Sequence, residues 1–230
     1  MKIKEIHAHP LFLFSLFIER LWDYELYFAS SSTSFYVGPM EVSDFLETTV
    51  CWWIMLPSTG SNTMAVFSLT NDQDINAFSF HDLENHMDIF VNGDQRSVAK
   101  TADVRGDSLW HHVCVTWRSS DGRWGIHVDG NRVEKGFNLS SGVHVAPGKL
   151  VIGQQWSTAY SYDSSFSFEG NLSHFNMWNM EIAEDKINRM SLSCGAEVGN
   201  LLPWPEMKTW RSSSVSVKKP SSCKVKGMLS

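Results

Sequence analysis

Three features of this sequence predict an all-β fold of antiparallel strands. Alternating apolar runs are separated by the dipeptides Asn92-Gly93, Asp121-Gly122 and Asp129-Gly130, which readily take positive φ at both central positions of a tight hairpin turn. The runs themselves are short and rich in β-branched and aromatic residues, which suit a pleated sheet. One helix is predicted, over 183–192, and the turn spacing leaves no room for the crossover helices of parallel βαβ units.

The elements follow in order. Thr48-Thr49-Val50-Cys51-Trp52-Trp53-Ile54 reads as a strand, and Met87-Asp88-Ile89-Phe90-Val91 leads into the Asn92-Gly93 turn. Residues 112–117 form a third strand, with His112, Cys114 and Thr116 on one face and Val113, Val115 and Trp117 on the other. A bond between Cys51 and Cys114 would tie distant segments of chain together. His111 and His112 are neighbours in that extended run, so they point to opposite faces and cannot easily share a metal. Trp124–Val128 lies between the two Asp-Gly turns, and further strands are predicted at Lys149–Ile152 and Leu172–Trp178. In the helix Ala183–Leu192, Ile182, Ile187 and Met190 supply an apolar stripe against Glu184, Asp185 and Lys186, with Gly195 near its end.

A chain of 230 residues, 43% hydrophobic with 10 Trp and 14 Phe, can bury a full core; about 70% of the unfolded surface is removed at this size. Net charge is −6, unevenly spread. Residues 207–230 hold six of the 19 Lys and Arg and no acid, so the remainder, with 13 basic and 25 acidic residues, carries −12. An acidic body argues against nucleic acid as a partner. The basic Ser- and Lys-rich tail is expected to be a solvated end beyond the compact domain. Lys2 and Lys4 precede an apolar run, Pro10 to Ile18, so residues 1–24 are expected to be a signal peptide or an irregular leader. No run reaches the 18 or so apolar residues of a membrane span. The four cysteines allow three pairings, or four thiols in a reducing compartment. Asn138-Leu139-Ser140 and Asn171-Leu172-Ser173 are glycosylation sequons.

Catalytic patterns are lacking: no His-Glu-x-x-His pair, no phosphate loop and no Gly-x-Ser-x-Gly turn occurs. Glu181, Glu184 and Asp185 sit at the predicted helix, as a solvated face would place them, rather than across a sugar bond. The chain is not expected to be an enzyme.

One segment resembles a known family. His112-Val113-Cys114-Val115-Thr116-Trp117-Arg118-Ser119 matches every fixed position of His-x-Cys-x-Ser/Thr-Trp-x-Ser/Thr, the pentraxin signature. Ser34-Phe35-Tyr36-Val37, Cys51, Leu150-Val151-Ile152-Gly153-Gln154 and Phe175-Asn176-Met177-Trp178 agree in order, so the resemblance spans residues 25–206. It implies a two-sheet jelly-roll sandwich of the concanavalin and laminin-G kind, usually extracellular, with Cys51–Cys114 as the family bridge. Cys194 and Cys223 then form a second bond. Calcium in this family is held by an Asp-Asn pair and by a Glu-Gln-Asp loop after Ile-Gly-Gln. Here Asp74 matches the Asp, Ile75 takes the place of the Asn, Asp72 and Asn76 lie close by, and Gln155-Trp156-Ser157 replaces the acidic loop, with Asp163 beyond. Calcium needs six to eight oxygens and charge to balance it, so the paired site is expected to be lost or reduced to one weak ion. Phe80 matches the apolar wall of a ligand pocket in some members approximately, although ordinary sheet packing accounts for it better.

The resemblance implies a recognition or adhesion module that binds a protein or glycan without catalysis. Cys194 and Gly199–Trp204 are similar to the neuronal members and to the ectodomains of adhesion receptors coupled to G proteins. The alternatives are a calcium-dependent lectin or opsonin of innate immunity, assembled as a cyclic homo-oligomer, and a jelly-roll glycoside hydrolase.

Overall fold

A computed structural model describes residues 22–223 except 31, 58–62, 84–85, 100–105, 159–160 and 196. The leader expected over 1–24 therefore lies almost wholly outside the described residues.

The strands are β1 (Glu25–Phe28), β2 (Val37–Val42), β3 (Glu47–Met55), β4 (Thr63–Thr70), β5 (Phe78–Leu83), β6 (His86–Val91), β7 (Asp94–Ala99), β8 (His111–Arg118), β9 (Arg123–Val128) and β10 (Asn131–Gly136). They continue with β11 (Gly148–Ile152), β12 (Gln155–Thr158), β13 (Ser161–Asp163), β14 (Gly170–Trp178) and β15 (Ser216–Lys218). Two helices are described, α1 (Glu184–Met190) and α2 (Trp204–Met207). The first sheet runs β10-β9-β8-β3-β14-β1-β15 and the second β2-β11-β4-β5-β6-β7, with β12-β13 as a separate hairpin. All pairings are antiparallel, and the molecule is the jelly-roll sandwich that the resemblance implies.

Alternation sets the core. Val113, Val115 and Trp117 of β8 join Val50, Trp52 and Ile54 of β3 between the sheets, where the Trp52 ring meets Phe80 at 5.1 Å and Phe67 at 5.8 Å. Phe80 is 2% exposed. It is core packing and cannot wall a surface pocket, which corrects its assignment as a ligand-binding residue.

Asn92-Gly93 and Asp129-Gly130 have positive φ at both positions, as two-residue hairpins demand. Asp121-Gly122 behaves differently. Only Gly122 is left-handed, the loop spans four residues, and Asp121 accepts hydrogen bonds from Arg118 and the Arg123 backbone instead.

The end of the fold differs from the boundary expected at residue 206. β15 pairs with β1, Val215 is fully buried, and Ser222 donates to the buried Glu25 carboxylate through both its backbone N–H and its hydroxyl. Glu25 also accepts from Asn171 and faces Lys218. Burial works against its charge, but the Ser222 and Asn171 hydrogen bonds and the Lys218 ammonium together hold its pKa below the ordinary value. The basic tail thus adds Ser216–Lys218 to the first sheet and is held against it as far as Cys223 by this buried carboxylate and the Cys194–Cys223 bond.

Candidate ligand-binding faces

Each sheet has an outer face covered by later chain. On the second sheet the cover is the β12–β13 hairpin and the short turn after it. Gln154 starts it: its buried amide donates to the Ser32 and Phe35 carbonyls and accepts from Ser167. Trp156 is 4% exposed and donates to the Ser68 carbonyl at 3.2 Å. Its ring meets Tyr162 at 4.9 Å, which meets Tyr36 at 5.2 Å. Phe166 and Phe90 flank the buried His81 ring at 5.2 and 4.8 Å. Burial pushes the His81 pKa down to about 4.

Aromatic packing therefore occupies the segment expected to supply acidic ligands. Gln155 and Asp163 are register partners, and Gln155 donates to Asn76 at 3.3 Å, so the fold does gather these three. Asp74 caps the Asn76 backbone N–H at 2.7 Å, Asp163 caps that of Ser165 at 2.9 Å, and Asp72 is exposed on the same turn as Asn71, which itself caps Gln73 and Asp74. Asp72, Asp74 and Asp163 together carry too little negative charge to balance two calcium ions, so this set does not fit a two-ion site. One oxygen stands apart: Gln155 Oε1 is buried without a hydrogen-bond partner among the described residues.

The outer face of the first sheet is covered by α1 and by residues 193–195 and 197–204. Cys51 and Cys114 are direct register partners on β3 and β8, and they are bonded. The bond fastens neighbouring strands of one sheet rather than clamping the two sheets together. It lies outside the main core, in a satellite cluster with Trp178, Ile182 and Ile187 under α1. His112 Nε2 sits 3.6 Å from Cys114 Sγ. Cys51, His112 and Cys114 are the one group of three potential metal ligands that converges among the described residues, and a disulfide cannot serve as a thiolate pair.

Three histidines on this face, His112, His127 and His174, are buried, and burial pushes the pKa of each down to about 4. His111, on the opposite face of the strand, behaves otherwise. Burial disfavours its charge, but a 2.8 Å hydrogen bond to Asp129, with the charges of Asp129 and Asp107, raises its pKa. Ser173 and His174 lie 2.8 Å apart, yet the Ser173 hydroxyl donates to the Tyr24 carbonyl and both side chains are buried, so this is no activated nucleophile.

Clefts flank α1, and two of them reach the floor of the sheet. One, of about 400 Å³, has Trp53, His112 and His174 on its floor and is bordered by the Lys186–Glu197 ion pair at 3.1 Å. The other, of about 310 Å³, lies between the β9–β10 hairpin and the segment entering α1. Thr116, Gly125 and His127 line it beside Arg123, Arg132 and Lys135, facing Glu181 and Glu184. Arg123 pairs with Glu181, and Arg132 with Glu184 at 2.8 Å. Sequence reading missed this second cleft. Strand alternation would have placed Gly125 and His127 on one face, but nothing in the sequence said that α1 would lie opposite.

The two sequons end differently. Asn138 is exposed after β10, whereas Asn171 is 5% exposed within β14 with its amide nitrogen donated to Glu25. A glycan has no room at Asn171 in the folded chain, which corrects that assignment.

Sheet order, register and covered faces define the jelly-roll sandwich class. The chain belongs to the pentaxin family, whose sequence model matches residues 25–220. It is 34% identical over 163 residues to human (Homo sapiens) neuronal pentraxin-1, covering 69% of this chain and 37% of the relative; the chain thus spans little more than a third of that protein's length. A native heptameric SAP-like pentraxin from Limulus polyphemus superposes with a TM-score of 0.78 at 20% identity, covering 88% of this chain and 97% of that one. The full extracellular region of zebrafish Gpr126/Adgrg6 matches with a TM-score of 0.65 at 20% identity, over 90% of this chain and 27% of that one.

Proposed function

We propose that this chain is an extracellular recognition module that binds a protein or glycan ligand without catalysis and without a paired calcium site. Its family, its likeness to a receptor ectodomain fold, and its two disulfide bonds support an oxidising, cell-surface or secreted setting. The observation that carries the calcium-independence is Trp156, seated on the outer face of the second sheet where the family pattern expects carboxylates. Recognition then falls to the outer face of the first sheet and its clefts. The calcium-dependent lectin remains the second reading, favoured by the partnerless Gln155 oxygen beside Asn76.

A tetramerised form of the chain, tested for binding to cultured cells in millimolar calcium and in EDTA, separates the readings. Equal binding in both, with negligible heat on titrating calcium, is expected. Binding abolished by EDTA establishes the lectin reading, and no binding in either condition removes both.

A further inference from the structure

We propose that the cleft between the β9–β10 hairpin and the start of α1 binds an acidic saccharide unit, a sugar ring carrying a carboxylate or sulfate. The inference rests on the recognition reading above and names the ligand class for one face of it.

The first support is unspent hydrogen bonding. His127 Nδ1, Arg123 Nε and Trp124 Nε1 are buried atoms without a hydrogen-bond partner among the described residues, and all three residues line this one cleft. His127 is only 4% exposed. Buried polar atoms are nearly always partnered, so three left over around a single concavity mark a place where an external group completes the network.

Charge is the second support. Three cations face two anions across the cleft, and Glu181 and Glu184 are already committed to Arg123 and Arg132. Lys135 makes no ion pair among the described residues. It is brought to this face by the bulge between Arg132 and Glu134, after which Lys135 registers with Gly125. The unmatched ammonium calls for an anionic ligand group.

Shape is the third. A Cβ at Gly125 would stand 3.1 Å from Thr116 Oγ1 and 3.4 Å from His127 Nε2, so glycine keeps the floor open. Phe137 lines the cleft, 55% exposed, and offers an aromatic surface to the C–H face of a ring. At about 310 Å³ the space lies at the small end of ligand pockets, roughly 300–1,000 Å³. An extended peptide would want unpaired backbone groups to add to, and the floor here is made of β8 and β9, both paired on either side.

The test is an NMR titration of the Asn138→Gln chain, which keeps any glycan of the neighbouring sequon out of the cleft. The probes are methyl glucuronide, its neutral counterpart methyl glucoside, and triglutamate. Methyl glucuronide is expected to shift the Gly125 and His127 amide and Trp124 indole signals, with methyl glucoside at least about tenfold weaker for want of the charge-assisted contact. Lys135→Gln, an exposed change that leaves the fold alone, should weaken glucuronide about tenfold and leave glucoside unmoved. Gly125→Leu should abolish both. Glucuronide that shifts none of these signals at millimolar concentration, affinity indifferent to Lys135→Gln, or triglutamate binding more tightly at the same signals overturns the proposal. If tetramerised chain still binds cells while the glucuronide titration is flat, this site falls and the recognition reading stands.

Discussion

The outer faces of the two sheets are both covered, and by opposite means. Over the second sheet, Trp156, Tyr162 and Tyr36 pack ring to ring in series and Phe166 packs against His81, filling the segment where the family pattern places acidic donors. Over the first sheet, α1 and a disulfide enclose three neutral histidines and leave clefts beside the helix, one of them lined by residues with unpartnered polar atoms. The two faces thus differ in kind: ring packing seals one, while a short helix covers the other incompletely and leaves clefts beside it.

Acid is expected to break this arrangement most. His81, His112, His127 and His174 have folded pKa values of about 4, below the ordinary 6.5. The unfolded chain therefore binds more protons between those values, and stability falls as pH drops from 6.5 towards 4. By linkage each group costs on the order of 2 kcal/mol at pH 4.5, and three of the four lie on the first sheet. His111 has the opposite sign: its raised pKa contributes stability present below pH 6.5 that fades as pH rises through the folded value. Urea melts at pH 7 and 4.5 check this; a midpoint unchanged between them contradicts the neutral, buried histidines.

Next in size is the bond under α1. Replacing Cys51 and Cys114 together by Ala opens a loop of 63 residues and should cost about 4 kcal/mol. The loss reads out as a melting temperature lower by roughly 10 °C in a domain of this size. A shift under about 2 °C would mean that sheet pairing alone holds β3 to β8.

Trp156→Ala sharpens the comparison from the other side. Removing a buried indole costs about 3 kcal/mol, and hydrogen exchange should rise in β12 and β13 but not in β8. Uniformly faster exchange, or none, would show that the hairpin is held by something other than its rings.

Much of this was legible in the chain. The signature around Cys114, the Asn92-Gly93 and Asp129-Gly130 turns and the apolar alternation of residues 112–117 predicted strands, tight hairpins and a jelly roll that the structure reproduces. Phe80, Asn171 and the tail were misplaced for one shared reason. Each depends on which strand lies alongside: Phe80 on Trp52, Asn171 on Glu25, and Ser222 on that same carboxylate nearly 200 positions earlier.

The sequence by itself determined the class of fold, the strand faces and the departure from an acidic calcium loop, because alternation, turn chemistry and residue charge are local properties. Tertiary structure alone decided that the disulfide faces α1, that the basic tail becomes an edge strand, and that His127, Lys135 and Glu184 surround one cleft. Those outcomes follow from strand order and register, which bring together residues remote along the chain and carry no short-range signal.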